Sequence, residues 1–167
     1  MMVPWRRFIS VPSVAGLAPA VAAMAAVALM TLVALAASAN EVMAQQIIMP
    51  GRALEMARDG RIMIIDIRRP DEWQKTGIPT GAKRATIRFG RGTEAFLKRI
   101  AKLTKGDKTK PIALICAAGV RSKHASRLLH ETGYTQVMDI SEGMLGNAEG
   151  GGWLRRDLPV SHCKGCR

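Results

Sequence analysis

Two short runs of uninterrupted apolar residues, Ile62-Met63-Ile64-Ile65 and Ile112-Ala113-Leu114-Ile115, punctuate an otherwise mixed pattern. Runs of this length, bounded by charge, glycine or proline, read as strands buried on both faces. The first is ended by Asp66-Ile67-Arg68-Arg69-Pro70, because proline cannot continue a central strand. Ahead of it, Arg52 to Asp59 reads as a short helix stopped by Gly60. After it, Asp71 is placed to cap a brief helix through Gln74, with Trp73 turned inward. Gly77 to Ala82 then reads as a turn into a short strand, Ala85-Thr86-Ile87. Glu94 to Leu103 carries Phe96, Ile100 and Leu103 on one helical stripe, and Lys105 to Lys110 is a polar loop closed by Pro111. The second apolar run passes through Cys116-Ala117-Ala118-Gly119-Val120-Arg121 into a helix from Ser122 to Thr132. That helix carries Ala125, Leu128 and Leu129 inward and is followed by Gly133 and a strand from Gln136 to Ile140. Strands alternating with helices predict an α/β fold: a central, mainly parallel sheet with helices on both faces.

The amino terminus follows a different rule. Arg6 and Arg7 precede a stretch from Phe8 to Asn40 without a charged residue, and Ala37-Ser38-Ala39 and Val42-Met43-Ala44 both suit a signal peptidase. Residues 1–44 are therefore expected to form a signal peptide that directs the domain to the periplasm. The alternative is an uncut inner-membrane anchor, with residues 15–39 as the tether and the domain outside the cytoplasm. The Arg6-Arg7 pair matches a twin-arginine signal poorly.

Composition narrows the field further. The chain has 167 residues and carries 25 Lys and Arg against 13 Asp and Glu. Removing residues 1–44 takes away only Arg6, Arg7 and Glu41, so a net charge of +11 stays with the remainder. Such a surface attracts anions and acidic partners. The basic residues are dispersed and no recognition helix or stacking motif accompanies them, which argues against nucleic acid. Three cysteines are too few for a disulfide scaffold.

Cys116 stands where a strand ends and a helix begins, the position at which open α/β sheets bind ligands. Free N–H groups at a helix amino terminus, together with the Arg121 guanidinium, favour the thiolate and hence a nucleophile. Gly119 lets the loop curl into an anion nest, and Ala117 and Ala118 are small enough to leave its mouth open. An isolated cysteine at a strand end is more often structural. Here the glycine, the arginine and the helix start sit at useful offsets.

These residues resemble the rhodanese family of sulfurtransferases. Ile65 to Trp73 is similar to the family's first signature, and Cys116-x-x-Gly119-x-Arg121-Ser122 matches its active-site loop. Glu142-Gly143-Met144 through Gly152-Trp153, with Leu158-Pro159-Val160, resembles its ending. The resemblance implies a rhodanese-like three-layer domain over residues 45–160, followed by a tail from 161 to 167. It also implies an enzyme without a cofactor, in which Cys116 takes sulfane sulfur as a persulfide and passes it to a thiol or cyanide. Arg121, Ser122 and the backbone of Ala117, Ala118, Gly119 and Val120 would bind the substrate. The implied partners are a small sulfur-donor anion and a thiol acceptor, and Cys163 and Cys166 of the tail add a redox protein as a further partner.

Two departures bear on the donor. Thr76-Gly77-Ile78-Pro79-Thr80-Gly81-Ala82 lacks the histidine that many members carry in this turn and has one residue more. Positions 117 and 118 are alanines where loops that grip thiosulfate often offer basic side chains, so polysulfide or a protein persulfide is an equal candidate donor. Phosphatases and arsenate reductases of this fold have a loop one residue longer, which makes phosphoryl transfer the weaker enzyme reading. A catalytically idle module that binds a partner through its basic surface is the alternative from another class.

Among supporting residues, Asp66 is read either as holding the loop through its N–H groups or as capping a turn, and Arg68 as an ion-pair partner. His124 is read as a surface imidazole, and Trp73 and Trp153 as core anchors. The tail, His162-Cys163-Lys164-Gly165-Cys166-Arg167, offers either a small disulfide or a dithiol able to reduce a persulfide. One His and two Cys are too few for a zinc site within one chain, and no metal is assigned.

Overall fold

The two apolar runs lie side by side at the centre of the computed structural model, which describes residues 46–162. In chain order the elements are β1 (Gln46–Ile47), α1 (Pro50–Arg58), β2 (Met63–Asp66), α2 (Pro70–Thr76), β3 (Ile78–Pro79), β4 (Lys83–Arg84), α3 (Thr93–Thr104), β5 (Ile112–Ile115), α4 (Val120–Glu131), β6 (Val137–Asp139), α5 (Gly152–Arg155) and β7 (Val160–Ser161). Five strands form one sheet in the order β1-β6-β5-β2-β4, and every neighbouring pair is parallel. Met63 is in register with Ile112 and Asp66 with Ile115, so β2 and β5 end at the same level. β3 and β7 pair antiparallel as a separate small ribbon.

Side chains on a strand alternate between faces, and here both faces are covered. Ile65, Ile67, Ile112, Leu114 and Val137 pack with Phe96 and Ile100 of α3 and with Ala125 and Leu129 of α4. Ile62, Ile64, Ala113, Ile115 and Ile140 pack on the other side with Ala53 and Leu54 of α1, and with Met144 and Trp153. This double cover is why the strands read as unbroken apolar runs; each buried Ile or Leu contributes on the order of 1.5–3 kcal/mol. The α/β architecture with a mainly parallel sheet is as the alternation predicts.

Local details differ. Asp71 lies inside α2 and pairs with Arg69; Pro70 opens the helix, and Glu72 reaches back to the Arg69 N–H at 3.0 Å. A proline at the first helical position costs no hydrogen bond, so the start shifts one residue upstream of the expected cap. Regular pairing with β2 is confined to Lys83–Arg84 rather than Ala85-Thr86-Ile87. The ladder nonetheless runs on through Ala85 N–H to the Asp66 carbonyl at 3.1 Å and Ile87 N–H to the Ile67 carbonyl at 3.1 Å. α4 begins at Val120, two residues earlier than Ser122, because Gly119 itself makes the turn. The expected export segment lies outside the described residues, as do Cys163 and Cys166. Among the described residues no helix is long and apolar enough to cross a membrane.

Candidate active site

Cys116 follows directly on β5 and is 1% exposed. Its carbonyl accepts the Met144 N–H at 2.8 Å, and the Ala117 carbonyl accepts that of Leu145 at 2.8 Å. Asn147 Nδ2 donates to the Ala118 carbonyl at 3.2 Å and to that of Ser141 at 2.9 Å. The carbonyls of Cys116, Ala117 and Ala118 are thus tied to the segment after β6. The Gly119 N–H donates to Cys116 Sγ at 3.1 Å, and the Ser122 hydroxyl lies 3.5 Å from the same sulfur. Both donors belong to the start of α4, whose dipole adds to the positive potential at the sulfur.

Gly119 is required twice over. It sits at φ 86°, where a side chain is strained, and a Cβ there would lie 1.9 Å from the Ser141 carbonyl oxygen. Gly143 answers it from the opposing segment, at φ 66° with the Ala117 carbonyl 2.5 Å from where its Cβ would be. That segment is anchored below by the buried carboxylate of Glu142, which accepts the Gly152 N–H at 2.7 Å and Arg156 Nε at 2.8 Å. The Arg156 hydrogen bond holds the Glu142 carboxyl below the usual glutamate range, against the opposing effect of burial.

Arg121 is brought to the loop but is not left to the substrate alone. Its Nη1 and Nη2 donate to Glu72 Oε2 and Oε1 at 2.8 and 2.6 Å, a bidentate pair between α4 and α2. Glu72 raises the Arg121 proton affinity first by that hydrogen bond and, less, by its charge; the Cys116 sulfur adds to the same direction. Burial pushes the Glu72 carboxyl up, and the combined pull of Arg121 and Arg69 reverses this, so that it titrates below the usual glutamate range. Glu72 is the residue that sequence reasoning passed over. Its signal was the third position of a helix opened by Pro70, inside the run that resembled a family signature.

The remaining expected residues divide cleanly. Ala117 and Ala118 are half-buried at the mouth, Val120 is 69% exposed beside it, and Ser122 is fully buried beneath the sulfur. Asp66 and Arg68 form a buried ion pair: Arg68 Nη2 reaches Asp66 Oδ2 at 2.6 Å and the Gly77 carbonyl at 2.7 Å. Arg68 Nη1 reaches Thr76 Oγ1 at 2.8 Å. Asp66 therefore spends its carboxylate on Arg68, including the Arg68 N–H at 3.0 Å, rather than on the Cys116 loop. Through Arg68 the pair holds the C-terminal end of α2, the helix that carries Glu72. His124 is exposed on α4 and meets the Phe89 ring edge-on at 5.6 Å. Trp73 and Trp153 are buried; Trp153 Nε1 donates to the Pro159 carbonyl at 3.1 Å.

Several known proteins are similar to this chain. A protein of Rickettsia conorii is 27% identical over 120 residues, 70% of this chain and 98% of its own length. The tRNA uridine(34) hydroxylase of Chlamydia caviae is 30% identical over 115 residues, which are 68% of this chain and 34% of the hydroxylase. The solution structure of the polysulfide-sulfur transferase homodimer from Wolinella succinogenes superposes with a TM-score of 0.56 at 23% identity. It covers 80% of this chain and 90% of that one, and shows the same fold. The model of the rhodanese-like domain matches residues 49–148, from the head of α1 through the whole Cys116 loop, and this chain belongs to the rhodanese-like domain family.

Proposed function

We propose that the protein is a sulfurtransferase whose Cys116 carries sulfane sulfur as a persulfide. The observation that carries this reading is the Cys116 sulfur, held at the head of α4 with the Gly119 N–H at 3.1 Å and the Ser122 hydroxyl at 3.5 Å. In the first step the Cys116 thiolate attacks the sulfane sulfur of a donor. The donor's S–S bond breaks, and the displaced fragment leaves with the bonding pair as a shorter polysulfide or a thiolate. In the second step a thiolate acceptor, or cyanide, attacks the outer sulfur and Cys116 leaves as the thiolate. No net oxidation of the protein occurs across the cycle. The loop N–H groups offset the charge that moves on and off the inner sulfur.

The donor class follows from charge. Ala117, Ala118 and Val120 bring no cation, and the Arg121 charge is matched by Glu72. A polysulfide, which spreads its two charges along a sulfur chain, or a persulfide on a carrier thiol suits this mouth better than the compact dianion thiosulfate. Val120 and Leu145, 69% and 47% exposed, present apolar side chains on the two segments that form the mouth, which favours an acceptor thiol carried by a protein. The charge-free stretch from Phe8 to Asn40 supports a periplasmic setting, free or membrane-tethered.

The test is mass spectrometry of the full chain after exposure to polysulfide and, separately, to thiosulfate. A one-sulfur gain on Cys116 that cyanide removes, faster from polysulfide and absent from Cys116→Ala, is the expected result. No adduct on Cys116 from either donor overturns the proposal in favour of a non-catalytic binding module.

A further inference from the structure

Asp139 is a buried carboxyl group for which the sulfur chemistry has no use. It ends β6, is 2% exposed, and gives its carbonyl to the Ile48 N–H at 2.9 Å. By strand alternation its side chain lies on the face of Val137, the face on which α4 packs. There it meets Ser122, fully buried on the first turn of α4. Ser122 has one hydroxyl hydrogen and three acceptors for it: the Gly119 carbonyl at 3.0 Å, Cys116 Sγ at 3.5 Å and the Asp139 carboxylate.

We infer that Asp139 is a positioning residue for Cys116, acting through Ser122. Ionised, it draws the Ser122 hydrogen away from the sulfur; protonated, it donates to Ser122 Oγ and releases that hydrogen to the sulfur. The inference rests on Cys116 being the reacting sulfur.

The surroundings make both states accessible. Burial pushes the Asp139 carboxyl up, outweighing the Ser122 hydroxyl and Lys123 of α4, which favour its ionised form. Glu149, from the segment between β6 and α5, adds to the upward push, and the carboxyl titrates at about 6. A pocket of about 240 Å³ borders the loop on this side, lined by Ala118, Val120, Lys123, Asp139, Asn147 and Glu149.

The experiment is the rate of Cys116 alkylation by iodoacetamide, read peptide by peptide in the full chain from about pH 5 to about pH 9. The wild-type profile is expected to show an inflection near pH 6 in addition to that of the thiol. Asp139→Asn removes the lower inflection and raises the rate near neutral pH by roughly 3–10-fold, because a neutral amide accepts the Ser122 hydrogen less strongly than a carboxylate and leaves it to the sulfur. In a Ser122→Ala background the same substitution changes the rate by less than about twofold. A wild-type profile with a single inflection overturns the inference, and so does an Asp139→Asn effect as large without Ser122 as with it. A wild-type profile with a single inflection overturns it even if the variants do not fold. A two-step profile on a protein that forms no persulfide supports the Asp139 linkage and removes only the sulfur-transfer reading.

Discussion

Glu72 and Arg121, 49 positions apart in the chain, face each other with both oxygens of one and both terminal nitrogens of the other, at 2.6 and 2.8 Å. The arginine that the loop motif offers as a source of positive charge is thereby matched by a carboxylate. What remains for an anion is the set of N–H dipoles at the head of α4.

Charge at the mouth is therefore adjustable. Glu72→Gln keeps a hydrogen-bonding partner for Arg121 and removes the compensating charge, so the KM for thiosulfate should fall by roughly 3–10-fold and that for polysulfide, whose two charges are spread along a chain, by less. The Glu72 carboxyl titrates below its usual range, so its contribution to stability is present above that range and is lost as pH falls through the folded value. Acid unfolding followed by circular dichroism should show a shallower loss in the variant below about pH 4.

Gly119→Ala tests the loop's backbone. The substitution forces a Cβ to within 1.9 Å of the Ser141 carbonyl at a φ of 86°, so either the loop or the segment after β6 must move. A loss of roughly 2–4 kcal/mol in urea unfolding is expected, with sulfur transfer reduced more than 100-fold because the N–H at the sulfur is displaced.

The Asp66–Arg68 pair is fully buried, and removing one partner strands the other. Arg68→Met leaves an uncompensated carboxylate and takes donors from the Gly77 carbonyl and Thr76, at an expected cost of about 3–5 kcal/mol. Asp66→Leu combined with Arg68→Met should be less damaging than Arg68→Met alone, with a coupling of about 1–3 kcal/mol in a double-mutant cycle of urea midpoints.

Asp139→Asn should be more stable than the wild type at neutral pH. A carboxyl whose folded value is raised from 3.8 to about 6 contributes its full stability below the unfolded value and loses it as pH rises through the folded one. Wild-type stability should therefore drop between about pH 4 and pH 7 by roughly 2–3 kcal/mol relative to the variant, measured by urea unfolding across that range.

Legibility in the sequence tracked the range over which each interaction acts. β2 and β5 were visible as apolar runs because both their faces are covered. The strand, loop and helix around Cys116 were visible because a glycine and a helix start must follow it closely. The pairs that set the site's charge were not. Glu72 meets Arg121, and Ser122 meets Asp139, only after the sheet has aligned the ends of their elements, and neither periodicity nor local spacing encodes that meeting. The two-residue strands β1, β3 and β7 were equally silent, since a pair of residues carries no period. Asp71 was misassigned as a cap because proline at the first helical position makes the residue before it the boundary.

The placement of the first strand also dictates an order of assembly. Gln46 and Ile47 pair with Met138 and Asp139, so the earliest part of the sheet to leave the ribosome waits for the latest. Until Val137 to Asp139 have emerged, the flank of β5 offers unmade backbone bonds to any neighbouring chain. Nascent polypeptides stalled or clipped before that point should be self-adhesive, and a chaperone that shields them acts on the stretch ending in Cys116.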